Sequence, residues 1–346
     1  MKYDFIIVGQ GIAGSMLAWF LWKQNQRFLV IDEWNPNSSS NIAAGIINPV
    51  TGRKLVKTWR IDEVLPFALQ TYTELEKFLN TSFFTQQDLY KIFTSDDDEQ
   101  IWKNRKNDTE YQNYLGKIVE LQDEPEIIST HKVGIIKNAC RVLLPVFIKA
   151  FRQFLESNEK IINEKFEFDE LKMNEQFYYK NYSAKHIIFC EGYQAINNPL
   201  FPNLPFTLAK GEQLLVEIPK LNTSKIINRN IYLIPENKNR YFVGATYLWN
   251  DMSVDVTQEG RNELTDKLKK MLRCDFKIIE ERAAIRPTTK DRRPFIAQHS
   301  KYSNAYIFNG MGTKGASLSP FFAHFLVDAI LNKKPLLKET DLNRFT

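Results

Sequence analysis

The sequence predicts an α/β chain in two parts: a parallel-sheet domain assembled from separated segments, and an α+β domain with a mixed or antiparallel sheet. Three observations predict this. An apolar run, a glycine-rich turn, an apolar helix and a second apolar run follow one another from residue 5. A second run of strand, glycines and helix closes the chain from Ala305. Between them, residues 207–257 carry short strand signals separated by turns at Pro219, Pro235 and Asn237.

Phe5-Ile6-Ile7-Val8 is a continuous apolar run of strand length, as suits a parallel strand buried on both faces. Gly9, Gly11 and Gly14 follow in GxGxxG spacing, with Ile12 and Ala13 within the turn as further candidate cofactor contacts, and lead into a buried helix from Ser15. The first glycine allows the tight turn, the second the approach of a pyrophosphate, the third close packing of helix on strand. The helix N-terminus offers free N–H groups and a positive dipole end to phosphates. The next apolar run, Phe28-Leu29-Val30-Ile31, ends in Asp32, 18 residues beyond Gly14, near the spacing of an acid that accepts from a ribose 2′-OH. Glu33 is the neighbouring alternative; Asp32 is preferred because it directly follows the strand. A carboxylate here repels a 2′-phosphate, leaving FAD or NAD for a Rossmann-type domain.

Ser38-Ser39-Ser40 and Ala43-Ala44-Gly45-Ile46 follow, with small residues that can run close to a bulky ligand. Here the chain resembles the D-amino acid oxidase superfamily, which includes glycine oxidase and monomeric sarcosine oxidase. The resemblance extends to Arg286-Pro287-x-Thr289-x-Asp291-x-x-Pro294-x-Ile296 and covers nearly the whole chain, weakly over residues 60–130. It implies a glutathione-reductase-like FAD domain from residues 1–53, 134–206 and 286–346, and a substrate domain from residues 54–133 and 207–285. It also implies non-covalent FAD, because no cysteine lies near the 310–315 loop. The implied FAD contacts add Ser40, Phe166, Glu191, Gly192, Gly310, Gly312, Thr313, Lys314 and Gly315 to the glycines and acids above. Family members usually carry Ala where Glu191 stands.

Only 31 residues follow Gly315, too few for another βαβ unit, so this second glycine fingerprint closes the first domain. No third fingerprint suggests a site for NAD(P)H. Residues 142–155 read as an amphipathic helix, 259–272 as another, and 54–133 as polar and largely helical, with Asp96-Asp97-Asp98-Glu99 a solvated loop or helix start.

A substrate carboxylate calls for a forked cation, and the resemblance implies Arg286 for that role, with Lys314 a second candidate. Arg53 is a candidate for the pocket or, by preference, for the surface; Tyr232, Tyr241, Tyr247, Trp59 and Trp249 are candidates for the pocket or for packing. The implied activity is oxidation of the CH–NH bond of a small amine or amino acid by hydride transfer to flavin, with oxygen or another acceptor taking the electrons. One alternative is the oxidoreductase half of the tRNA wobble-uridine enzyme, whose Gly-x-Gly-Ser-Arg-Gly loop resembles residues 310–315; a basic stripe at Lys290, Arg292 and Arg293 would favour it. A second alternative is a non-catalytic flavin-binding protein.

With 43% hydrophobic and 25% charged residues the chain reads as globular, and a net charge of +5 does not by itself point to nucleic acid. Cys140, Cys190 and Cys274 form no CxxC, and the four histidines show no metal spacing, so neither a disulfide framework nor a metal site is expected. With no run of about 20 apolar residues and no secretory pattern at the start, the expectation is a cytoplasmic protein without a membrane span.

Overall fold

The computed structural model describes residues 1–345. Among these residues the chain forms two large sheets of eight strands each, with helices packed around them. The first sheet is centred on Lys2–Val8, which pairs in parallel with Phe28–Ile31 on one side and Tyr182–Phe189 on the other. Ile161–Ile162 extends it beyond Phe28–Ile31, and Ala305–Asn309 pairs in parallel with Tyr182–Phe189. Phe295–Gln298 and Phe177–Tyr179 add antiparallel strands. The apolar run Phe5 to Val8 is buried on both faces, which is why it does not alternate. Helix Ile12–Lys23 is buried continuously from Ile12 to Leu21. It packs against the C-terminal helix Gly315–Leu331, so the two glycine fingerprints belong to one sheet.

The second sheet runs in the order Lys277–Arg286, Ala209–Glu217, Arg240–Gly244, Ile231–Asn237, Ile226–Arg229, Leu89–Ile92, Val133–Ile136 and Leu115–Val119. Its pairs are antiparallel except Ile226–Arg229 with Leu89–Ile92. Residues 54–133 are therefore less helical than the sequence suggests. They hold helices Ile61–Leu79 and Asp96–Lys106 but also give strands to the sheet. The acidic run starts a helix: Ser95 caps it, its hydroxyl accepting from the Asp98 N–H, and four acids occupy the first turn. Helix Leu144–Ser157 buries Leu144, Phe147, Ile148, Phe151, Arg152 and Leu155 along one face. Among the described residues no helix is long and apolar enough to cross a membrane.

Candidate functional site

A cavity of about 1280 Å³ runs between the two sheets. At one end it is floored by the N-terminal glycine turn. Gly9 has φ +97°, and a Cβ there would lie 2.6 Å from the Cys190 carbonyl oxygen. The first turn of helix Ile12–Lys23 has no acid and no side chain at its cap position, Gly11; the Ile12 N–H donates to Ser40 Oγ at 3.0 Å. Gly9, Gly11, Ile12 and Ala13 line the cavity. Gly14 does not. A Cβ on it would lie 1.9 Å from the Gly9 carbonyl oxygen, so this glycine serves the packing of helix on turn.

Ser40, Ala43, Ala44, Gly45 and Ile46 form the next stretch of wall. Gly45 has φ +70°, and a Cβ there would meet the Val142 carbonyl oxygen at 1.8 Å. The C-terminal loop joins from the opposite side. Gly310, Gly312, Thr313, Lys314 and Gly315 all line the cavity, and the Gly312 N–H donates to the Pro287 carbonyl at 3.1 Å. Helix Gly315–Leu331 also starts without an acid or a side-chain cap. Two uncapped, acid-free helix N-termini thus open into one elongated cavity, which fits a long dinucleotide with a central pyrophosphate.

Asp32 and Glu33 line the same end, as do Phe166, Glu191 and Gly192. Asp32 is not a free acid. Its Oδ2 accepts from the Gln10 N–H at 2.8 Å, and its Oδ1 accepts from Arg152 Nη1 at 2.7 Å. Arg152 also donates to Gln10 Oε1, to the Asp32 carbonyl and to Asn163 Oδ1. Burial raises the Asp32 carboxyl above its ordinary value, against the pull of the Gln10 N–H and Arg152. Sequence reasoning missed Arg152. The available signal was a single cation on the apolar face of an amphipathic helix. Glu191 accepts from Asn198 Nδ2 at 2.7 Å, and burial pushes its carboxyl up to about 7.

At the other end Arg286, the last residue of the edge strand Lys277–Arg286, reaches back over its neighbour. Nη1 donates to the carbonyls of Lys210 at 3.2 Å and Thr246 at 3.1 Å. Its guanidinium carbon sits 4.3 Å from the Tyr247 ring centre. A Cβ on Gly211 would lie 1.9 Å from Nη2, so that glycine makes the room. Arg286 has no ion-pair partner among the described residues, and burial lowers its proton affinity. Lys314 also lines the cavity without hydrogen-bond or ion-pair partner for its ammonium; burial, then Arg292, lower its value.

Arg53 does line the cavity, yet its side chain is 66% exposed and pairs with Asp98 at 3.1 Å, so it is a rim residue already engaged. Tyr232, held by Asn48 Nδ2 at 3.1 Å, lines the cavity together with Tyr247, Trp249 and Trp59. Tyr241 does not; its hydroxyl is buried against Leu221 and Thr223. Of the basic run, Arg292 lines the cavity, Lys290 is exposed and Arg293 packs over the Trp59 ring.

The family described as FAD dependent oxidoreductase matches residues 4–329. The chain belongs to the D-amino acid oxidase family of FAD-dependent oxidoreductases. It is 23% identical to glycine oxidase of Bacillus subtilis (strain 168) over 360 residues, covering 96% of this chain and 94% of that one. The structure of glycine oxidase from Geobacillus kaustophilus superposes with a TM-score of 0.83 at 18% identity, covering 99% of each chain. A shorter likeness, 29% over 105 residues, joins 28% of this chain to 15% of the tRNA 5-methylaminomethyl-2-thiouridine biosynthesis bifunctional protein MnmC of Psychrobacter cryohalolentis. FAD is the family's cofactor, and the two helix N-termini and the small-residue walls suit it. As a family member the chain is an FAD-dependent oxidoreductase, with one cavity reaching both the glycine turns and the unpaired cations.

Proposed function

We propose that this enzyme oxidises the CH–NH bond of a small amino acid or amine that carries a carboxylate. One observation carries this reading. The Arg286 guanidinium, half-buried in the cavity wall, is bonded only to neutral carbonyls and has no acid beside it. Burying a cation without an anion is unfavourable, so the arrangement suits a ligand that brings the anion. FAD, when bound, supplies the hydride acceptor. The substrate enters as the neutral amine: its C–H bond breaks, the hydride leaves with the electron pair, and the nitrogen lone pair forms the C=N bond. Arg286 holds the carboxylate, and the Tyr247 ring lies against its guanidinium. Lys314 adds positive charge at the start of helix Gly315–Leu331.

The second glycine, Gly11, the Ser40 hydroxyl and the Ala43 to Ile46 wall are the proposed pyrophosphate and flavin contacts, with Asp32 or Glu33 toward the ribose. A second reading has support in one feature. Tyr247 and Trp249, 52% and 49% exposed, present aromatic rings at the cavity, the kind of surface on which splayed RNA bases stack. The substrate would then be a carboxymethylamino group on tRNA.

The test is anaerobic bleaching of the flavin absorbance by a panel of glycine, sarcosine, proline, D-amino acids and a carboxymethylaminomethyl-uridine nucleoside. Bleaching by a free amino acid supports the first reading. Bleaching by the nucleoside alone moves the assignment to RNA. A yellow protein that none of them reduces overturns both.

A further inference from the structure

The charged groups lining the cavity divide into two sets. Arg53 pairs with Asp98, Lys57 with Asp62, Lys165 with Glu167 and Asp291 with Arg344. Lys91, Arg286, Arg292 and Lys314 have no hydrogen bond to an acid and no ion pair among the described residues. The lining acids without a cationic partner, Glu33 and Glu191, lie at the nucleotide end. The end under the second sheet therefore holds more positive charge than one substrate carboxylate would match.

Of this set the proposed reaction does not use Lys91 and Arg292, and Lys91 is the one carried by the second sheet. It stands on Leu89–Ile92, opposite Asn228, which is opposite Tyr232, which is opposite Gly244, which is opposite Gln213. Residues directly opposite across strands share a face, and all five line the cavity. Lys91 and Arg286 thus look into one space from two strands of one sheet, with four strands between them. Asp98, the acid nearest in charge to Lys91, is already taken by Arg53 and by the Thr94 N–H and hydroxyl.

We infer that Lys91, beside Asn228, forms a second anion subsite, so that the substrate is an amino acid bearing a distal carboxylate or phosphate in addition to the carboxylate at Arg286. The geometry sets a length. Five strand spacings are roughly 24 Å, and Arg286 stands four residues further along its strand than Arg282, the partner of Gln213. The Arg286 side chain folds back by one strand, over Gly211, which shortens the span by about 5 Å. Short dicarboxylic amino acids do not bridge this gap; at about 1.2 Å per bond an N-substituent or side chain of roughly ten bonds or more is needed.

This inference rests on the amino-acid reading above, and the experiment separates the two. N-substituted glycines with an ω-carboxylate on four-, eight- and twelve-carbon chains are compared with their ω-carboxamides, which match them in size but lack the charge. An ω-phosphonate series distinguishes a phosphate from a carboxylate partner. Anaerobic flavin reduction is titrated with the FAD-loaded wild type, Lys91→Met and Lys91→Arg. The expected result is half-reduction of the wild type by the longer dianionic acids at a concentration at least tenfold below that of their carboxamides. That ratio collapses toward one in Lys91→Met and recovers in Lys91→Arg. Equal concentrations for acid and carboxamide in the wild type, or a Lys91→Met loss that is the same for both, overturn the subsite while leaving the amino-acid reading in place. Failure of every glycine derivative to bleach the flavin overturns that reading and the subsite with it. Because the wild-type series decides by itself, misfolding of a variant does not rescue the idea.

Discussion

The two ends of the cavity treat charge in opposite ways. At the nucleotide end, Asp32 is closed into a network with Arg152, the Gln10 N–H and, through Arg152, Asn163. Under the second sheet, Arg286 rests on carbonyls and an aromatic ring, and Lys91 and Lys314 face the cavity without acids. A paired charge holds its own architecture. An unpaired, half-buried one keeps a desolvation cost that a ligand's anion would offset. The first end is closed by its own charges; the second is the proposed place for a ligand's charge.

The largest expected effect breaks the closed end. Arg152→Met leaves Asp32 buried without its cation and is expected to lower unfolding free energy by about 3–5 kcal/mol, with loss of bound FAD. Asp32 already has a raised folded-state value, so the deficit is smallest in acid, where the carboxyl is protonated, and grows as pH rises through that value. Urea unfolding across pH measures it; a variant as stable as the parent at pH 7 would refute the network's role.

Next is the open end. Arg286→Ala is expected to raise KM for a carboxylate substrate about 30- to 100-fold, the worth of a charged hydrogen-bonded contact of about 2–3 kcal/mol. FAD content should stay at the wild-type level, and a parallel loss of flavin would show that Arg286 is structural. Glu191 tests the nucleotide end. Its folded-state value of about 7 lies above the ordinary carboxyl value, so it stabilises the apoprotein below that ordinary value. That contribution is lost as pH rises through about 7. Glu191→Gln should flatten the wild-type decline across this window, on the order of 1–3 kcal/mol, in thermal unfolding of the apoprotein. An identical decline in both proteins would place the titration elsewhere. The smallest effect is Gly211→Ala. The added methyl meets the mobile end of Arg286, so the guanidinium shifts while the fold holds. KM should rise about five- to tenfold, near 1 kcal/mol. No change in KM would mean that the guanidinium position is unimportant.

The nucleotide half was legible because its signals are local. Strand, glycine turn and helix occupy neighbouring residues, and Gly9 and Gly45 announce backbone positions that a Cβ could not share. Arg286 was reached through a resemblance in a short motif. Residues 54–133 were misjudged as largely helical because the strands Leu89–Ile92 and Leu115–Val119 are only four and five residues long. Leu89–Ile92 finds one of its partners in Ile226–Arg229, far along the chain. Gly14 was counted with the cofactor contacts, yet it serves packing alone.

By itself the sequence determined the α/β class and the FAD-type turn at each end, since each depends on residues within a few positions of one another, and the resemblance added the candidate cation at Arg286. Only the tertiary structure decided which charges are spent on one another and which remain open. Arg152 lies 120 residues from Asp32, and Lys91 meets Arg286's cavity through a sheet whose strands come from both halves of the chain. Electrostatic pairing acts over a few ångströms of space, and nothing in the spacing of residues along the chain records it.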